Sequence, residues 1–181
     1  MLRLMLLRHA KSAWDTGAPD HERPLNLRGK AAAPLMGRHM ADHALVPDRV
    51  LCSTARRTRD TFAGLLPFFP TDFEALFLRA VYEAEDTYLP LLIGYGGETR
   101  SLLLIGHNPA IQATALGLVG SGNPALTAAM AEKFPTTGLA VIDVDAKAWR
   151  DVRPGTGRIV AFFRPREFEI VGAEAGPAAD D

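Results

Sequence analysis

The 181-residue sequence holds one cysteine, carries no excess of either charge and contains no long apolar run. Each shortage removes a class of protein. Cys52 has no second cysteine to form an internal disulfide or a cysteine-based zinc cluster, which suits a reducing compartment. A net charge of −1 provides no basic face for nucleic acid, so any attraction of a charged ligand has to be local. No stretch approaches the roughly 18 apolar residues of a membrane-spanning helix. The opening "MLRLMLL" is interrupted by Arg3 and followed by no small-residue cleavage site, so it does not read as a secretion signal. The expectation is a cytoplasmic chain with neither a membrane nor a nucleic-acid partner.

What is present is enough apolar material for one well-filled core: 48% hydrophobic residues over a length that is short for two domains. A single domain over 1–171 is expected. The closing "GAEAGPAADD", residues 172–181, is small, acidic and aperiodic, and reads as a disordered tail.

Short apolar runs alternate with longer amphipathic ones. "LRLMLL" (2–7), "RVLCS" (49–53), "SLLLIG" (101–106), "LAVIDV" (139–144) and "RIVAFF" (158–163) read as strands. The first three lack polar alternation, as strands buried on both faces do. Helices are expected at 28–44, 57–66, 86–93 and 110–118. Asn26 is a fitting N-cap for the first of these, whereas Pro34, two turns inside, should kink it or delay its start. The alternation predicts an α/β fold, a three-layer α/β/α arrangement around a mainly parallel sheet. "GSGN" (120–123) and "PGTG" (154–157) match no phosphate-binding loop and read as turns.

Polar clusters follow three of the strands: Arg8-His9 after the first, "STARRTRDT" (53–61) after the second and "GHNP" (106–109) after the third. In open α/β sheets ligands bind outside the carboxyl ends of strands. Two histidines, arginines and helix N-termini brought to one edge suit an anion, and phosphate in particular. A neutral imidazole nitrogen is a competent nucleophile toward phosphorus. His9 would then attack, Arg8 and Arg57 would neutralise the equatorial oxygens and His107 would donate a hydrogen bond, before water hydrolyses the phospho-histidine.

"LLRHAKS", "ERPLNLRG", "STARRTRDT" and "LLLIGHNP", in that order, resemble the histidine phosphatase superfamily, which is phosphoglycerate-mutase-like in fold. More narrowly they look like its short branch, the SixA-like phosphohistidine phosphatases. The resemblance runs from Leu2 to about Val144. It implies that His9 is the phosphorylated nucleophile, Arg8 its phosphate-binding neighbour and His107 the second active-site histidine. Arg57 rather than Arg56 is the further arginine, because Thr61 follows it by four. No cofactor and no metal are implied. Ala10 stands where the family signature has glycine. For the acid that larger members use to protonate a leaving group, Glu83 in "VYEAED" is the candidate. An imidazole leaving group needs less acid help than an alkoxide, so a weak acid position favours phosphohistidine substrates, for instance on a signalling protein.

Other residues have plainer readings beside the functional one. His39 and His43 have metal-ligand spacing on a helix but lack a companion Glu and a third ligand, so surface or interfacial histidines are expected. Lys11 reads as a surface lysine and Ser12 as a loop residue. Asn108 caps a helix or touches ligand, and Arg23 reaches the site or ties its loop to the next helix. The competing functions are a phosphatase of small phosphoesters, a mutase with a longer lid, and a phosphate-recognition module without turnover. A His9→Ala variant separates catalysis from binding.

Overall fold

The computed structural model describes residues 1–70 and 72–165. The tail expected at 172–181 lies outside them. Seven strands form one sheet: β1 (Leu2–Arg8), β2 (Arg49–Ser53), β3 (Glu74–Leu78), β4 (Ser101–Gly106), β5 (Val119–Gly122), β6 (Leu139–Val144) and β7 (Gly157–Phe163). Their spatial order is β3-β2-β4-β1-β6-β7-β5. β1 pairs parallel with β4, β2 with β3 and β4, and β5 with β7, while β6 runs antiparallel to both β1 and β7. The sheet is therefore mixed and mainly parallel.

The helices are α1 (Leu27–Asp42), α2 (Arg56–Leu65), α3 (Arg79–Glu83), α4 (Leu89–Tyr95), α5 (Ala110–Leu118) and α6 (Pro124–Glu132). Alternate residues of β1 show how they are layered. Met5 and Leu7 pack with Met36 and Met40 of α1 and Phe62 and Leu65 of α2, whereas Leu4 and Leu6 pack with Val81, Leu92, Ile111 and Met130 of the other four helices. A strand's period of two thus sends successive leucines and methionines to opposite cores, which is why its sequence shows no polar alternation.

Asn26 caps α1, its side chain accepting the Gly29 amide at 2.9 Å. The start is not delayed by Pro34, which lies within the helix. Tertiary packing holds that segment: a Cβ on Gly64 of α2 would lie 2.7 Å from Ala33 Cβ and 3.3 Å from Pro34 Cδ. A Cβ on Gly37 would come within 2.9 Å of Leu65 Cα. Two glycines let α1 and α2 close on each other.

The structure adds four elements to the sequence reading and shifts a fifth. β3, β5, α3 and α6 were not expected, and the helix predicted at 86–93 runs from Leu89 to Tyr95. β3 and β5 are the sheet's edge strands. β3 is only partly buried, and β5, "VGSG", is glycine-rich and mostly exposed, so neither carries a strong apolar pattern. "GSGN" is accordingly more than a turn, because Gly122 pairs with Ile159.

Candidate active site

β1 and β4 are neighbours with Arg8 level with Gly106, and β2 lies on the far side of β4. The chain leaves β1 toward α1 on one face and leaves β4 toward α5 on the other. Adjacent parallel strands whose connections diverge in this way open a crevice at their carboxyl ends. Arg8, His9, Arg57 and His107 all converge there.

His9 follows β1 and is held by backbone bonds on two sides: its amide donates to Gly106 O at 3.1 Å, and its carbonyl accepts from Thr137 N at 3.1 Å. Thr137, a β-branched residue with φ of 61°, adopts the strained left-handed conformation to do so. His9 Nδ1 lies 2.7 Å from Ala10 O. A carbonyl oxygen can only accept, so Nδ1 carries the hydrogen and Nε2 keeps its lone pair. Burial, with the charges of Arg57 and Arg8 adding to it, holds the ring well below the usual imidazole range, so it is neutral at pH 7.

His107 sits across the crevice, the two ring centroids 5.1 Å apart. Its Nε2 is 2.7 Å from Ser53 Oγ, and its buried Nδ1 has no partner. Burial and nearby Arg57 push its pKa down to about 3. On a neutral ring, a Ser53 hydroxyl that donates to Nε2 leaves Nδ1–H as a free donor. Tyr88 sets the backbone beneath: the His107 amide donates to its hydroxyl at 2.9 Å. Gly106 makes room, since a Cβ there would lie 2.6 Å from Tyr88 Oη.

Arg8 donates through Nη1 to Phe134 O at 2.8 Å, and its buried Nε has no partner. Arg57 enters from the first turn of α2. Its Nη1 donates to Asp20 O at 2.7 Å, its Nη2 to Asp20 Oδ2 at 3.1 Å, and its Nε is also buried without a partner. Three buried atoms at the site, Arg8 Nε, Arg57 Nε and His107 Nδ1, thus have no partner, and His9 keeps a free Nε2 beside the His107 ring. Buried donors are rarely left unmatched, and water or a ligand usually completes them. The arrangement can hold a tetrahedral oxyanion against an imidazole nitrogen.

Comparison with known proteins places this geometry. Residues 4–75 match the histidine phosphatase superfamily (branch 1). An uncharacterised protein of Mycobacterium tuberculosis is 40% identical over 163 residues, covering 88% of this chain and the whole of that one. A crystal structure from Agrobacterium tumefaciens, assigned as a SixA phosphohistidine phosphatase, is 37% identical and superposes with a TM-score of 0.76 over 90% of this chain and 97% of the other. A second SixA structure, from Nakamurella multipartitia, is 26% identical with a TM-score of 0.77, covering 91% and 96%. The chain belongs to the histidine phosphatase superfamily. Its fold is phosphoglycerate-mutase-like and its place is the short SixA-like branch.

In this histidine phosphatase, Arg56 and Arg57 divide as Thr61 suggested. Arg56 is exposed and faces Asp60 at 3.6 Å, while Arg57 is buried in the site. Arg23 makes no bond to the helix that follows, α1, and is fixed within the loops instead. It joins its own loop to the segment after β1 by donating to Ser12 Oγ at 2.9 Å and Ala13 O at 3.3 Å, and it meets the site only through Asp20, donating to Oδ1 from Nε at 3.1 Å and Nη2 at 2.9 Å. The Trp14 ring stacks on the same guanidinium. Lys11 is exposed and its backbone, not its side chain, matters: Lys11 O accepts the Asn26 amide at 3.0 Å.

Asn108 makes no cap for α5. Its Nδ2 lies 3.3 Å from Phe134 O, and its buried Oδ1 is unpartnered on the wall of the cleft. Glu83 also lines the cleft, but its Oε1 accepts from Arg79 Nε at 2.6 Å at the exposed end of α3. The His39 and His43 rings lie 4.0 Å apart, and both meet the Phe163 ring, at 4.2 and 5.6 Å between centroids. Among the described residues no group of three or more His, Cys, Asp or Glu is placed to hold a metal ion. Burial pushes the Cys52 thiol up to about 12, so it is no rival nucleophile.

Sequence reasoning missed Asp20, Ser53, Tyr82 and Tyr88. Asp20 sits in a single 3-10 turn, Asp20–Glu22, pinned over the cleft. There Tyr82 donates to Asp20 Oδ2 at 3.0 Å, and His21 Nε2 lies 3.0 Å from Thr54 Oγ1. Only its closeness to "ERPL" could have marked it.

Proposed function

We propose that this chain is a metal-independent phosphohydrolase that acts on phosphohistidine, carried by a protein, through a covalent phosphohistidine at His9. The observation that supports it is the set of unpartnered donors on Arg8, Arg57 and His107 at the strand ends that also carry His9, whose Nε2 is left with its lone pair. In this reading Arg8, Arg57 and His107 bind the equatorial oxygens of the phosphoryl group and His9 Nε2 attacks phosphorus in line. The bond to the leaving nitrogen breaks as the bond to Nε2 forms. Water then attacks the phospho-His9 phosphorus and returns a neutral His9 and inorganic phosphate. Both histidines are held neutral by burial, so neither has to lose a proton first.

The mouth of the site supports this substrate class. The cleft, about 630 Å³, is lined by Asp20, Arg57, Tyr82, Glu83 to Glu85 and His107 to Pro109, and is open enough for a side chain on a protein surface. The SixA structures share this fold and the short branch, and bring the phosphohistidine expectation with them.

The test is brief mixing with phosphoramidate in chelator, an alkaline quench and mass spectrometry. A phosphate adduct on His9 that is absent from His9→Ala supports the reading. No adduct and no phosphate release would leave a phosphate-recognition module in its place.

A further inference from the structure

The cleft is divided by charge. Its phosphoryl end carries Arg57 and His107; its outer end carries the carboxylates of Asp20, Glu83 and Glu85, with Tyr82 among them. Arg57 is the one cation in the cleft lining. Glu83 is spent on Arg79, whereas Asp20 touches the phosphate-binding machinery directly through Arg57 Nη2 at 3.1 Å.

Asp20 is also built to stay in place. Oδ1 accepts from Arg23 twice, Oδ2 accepts from Arg57 and Tyr82, and its carbonyl accepts from Arg57 Nη1. Arg23 is itself buried and fixed by Ser12. Asp20 nevertheless remains about half exposed toward the cleft, so it can accept a further hydrogen bond from a ligand. Partial burial works to raise its pKa, but the donors from Arg23, Tyr82 and Arg57 prevail and hold it at about 2. A carboxylate of that kind cannot serve as the acid for an oxygen leaving group at neutral pH.

We infer that Asp20 is a specificity-determining residue, whose carboxylate accepts a hydrogen bond from the ring N–H of a phosphoimidazolium substrate and so favours N-phosphorylated substrates over phosphate esters. The inference rests on the phosphatase reading above. In a phosphoimidazolium the ring nitrogen not bonded to phosphorus carries a proton. As His9 Nε2 bonds to phosphorus, the electron pair of the P–N bond returns to the leaving nitrogen, and imidazole departs neutral with that proton still in place. Asp20 stabilises the protonated form before cleavage and takes no proton itself. An ester leaving group, which departs as an anion, meets the same carboxylate as a repulsion.

The experiment compares wild-type protein with Asp20→Asn and Asp20→Ser, both of which keep an acceptor for Arg57 and lose the charge. kcat/KM is measured for a phosphohistidine peptide and for p-nitrophenyl phosphate at pH 7.5. The ratio of the two, peptide over ester, is expected to fall about tenfold or more in both variants, the scale of a lost charge-assisted hydrogen bond. Equal losses on both substrates would reduce Asp20 to a strut for Arg57, and a larger loss on the ester would make it a general acid; either overturns the inference. Circular dichroism identifies a variant that does not fold, and the other then carries the test. Wild-type protein that cleaves neither substrate would instead sink the phosphatase reading, and one that cleaves only the ester would sink the inference while sparing the phosphatase.

Discussion

The Thr61 hydroxyl joins the nucleophile loop to the arginine helix: it accepts the Ala10 amide at 2.9 Å and donates to Arg57 O at 2.6 Å. One side chain therefore sets the distance between the residue after His9 and the residue that carries the guanidinium. Thr61→Val keeps the shape and removes both bonds, leaving a buried amide unmatched. A loss of about 1–3 kcal/mol is expected in urea unfolding, with a fall in kcat larger than any change in KM.

Neighbouring arginines should behave in opposite ways. Arg56 is exposed and its pairing with Asp60 at 3.6 Å is a surface contact of little worth. Arg57→Ala is expected to lower kcat/KM by at least about a hundredfold, the scale of a lost oxyanion donor. Arg56→Ala should stay within about twofold of wild type. Parallel steady-state kinetics on the two variants check this.

Ser53 should govern the tautomer of His107. With Ser53→Ala the 2.7 Å contact at Nε2 is lost, and nothing then keeps the hydrogen on Nδ1. Nitrogen NMR of the His107 ring should show the tautomer mixture shift, together with a fall of about tenfold in kcat. An unchanged tautomer would assign the hydrogen to another cause.

Both site histidines should remain neutral far into acid. An unperturbed imidazole titrates near 6.5; His9 lies well below that and His107 at about 3. The NMR shifts of both rings are expected to stay at neutral values from pH 7.5 to 5. Stability follows with a definite sign. Above about 6.5 the rings are neutral in both folded and unfolded chains and contribute no pH dependence. Below it the unfolded chain takes up protons that the folded site refuses, so stability falls as pH falls, by up to about 1.4 kcal/mol per pH unit per histidine. Urea midpoints at pH 7.5 and 5 read this out, and His107→Gln should flatten the curve.

Gly106 should tolerate no side chain. A Cβ there would meet the Tyr88 ring at 2.6–2.8 Å, and Tyr88 is fully buried. Gly106→Ala is expected to destabilise by about 1–3 kcal/mol and to disturb the His107 amide that Tyr88 holds. Thermal unfolding measures the first effect and kcat the second.

Much of this was legible in the chain itself. β1, β2, β4, β6 and β7 announce themselves as short apolar runs, and Arg8, His9, Arg57 and His107 follow three of those runs directly. A parallel sheet brings its strand ends to one edge, so local pattern sufficed to place the four together. The edge strands β3 and β5 were not legible, because a half-exposed strand has no need of a continuous apolar pattern. The start of α1 was not legible at Pro34 for a related reason: local propensity argues against a proline inside a helix, and the close approach of α2 at Gly64 holds the segment regardless.

By itself, then, the amino-acid order determined the alternating layers, the crevice and the cationic, histidine-bearing residues at its base, since each depends on neighbours along the chain. Only the tertiary structure decided which ring nitrogen of His107 carries the hydrogen, that Asp20 and not Glu83 meets Arg57, and that Tyr88 underlies His107. Those outcomes depend on groups 19 to 54 positions apart in the chain coming within hydrogen-bonding distance, and no local pattern encodes such a distance.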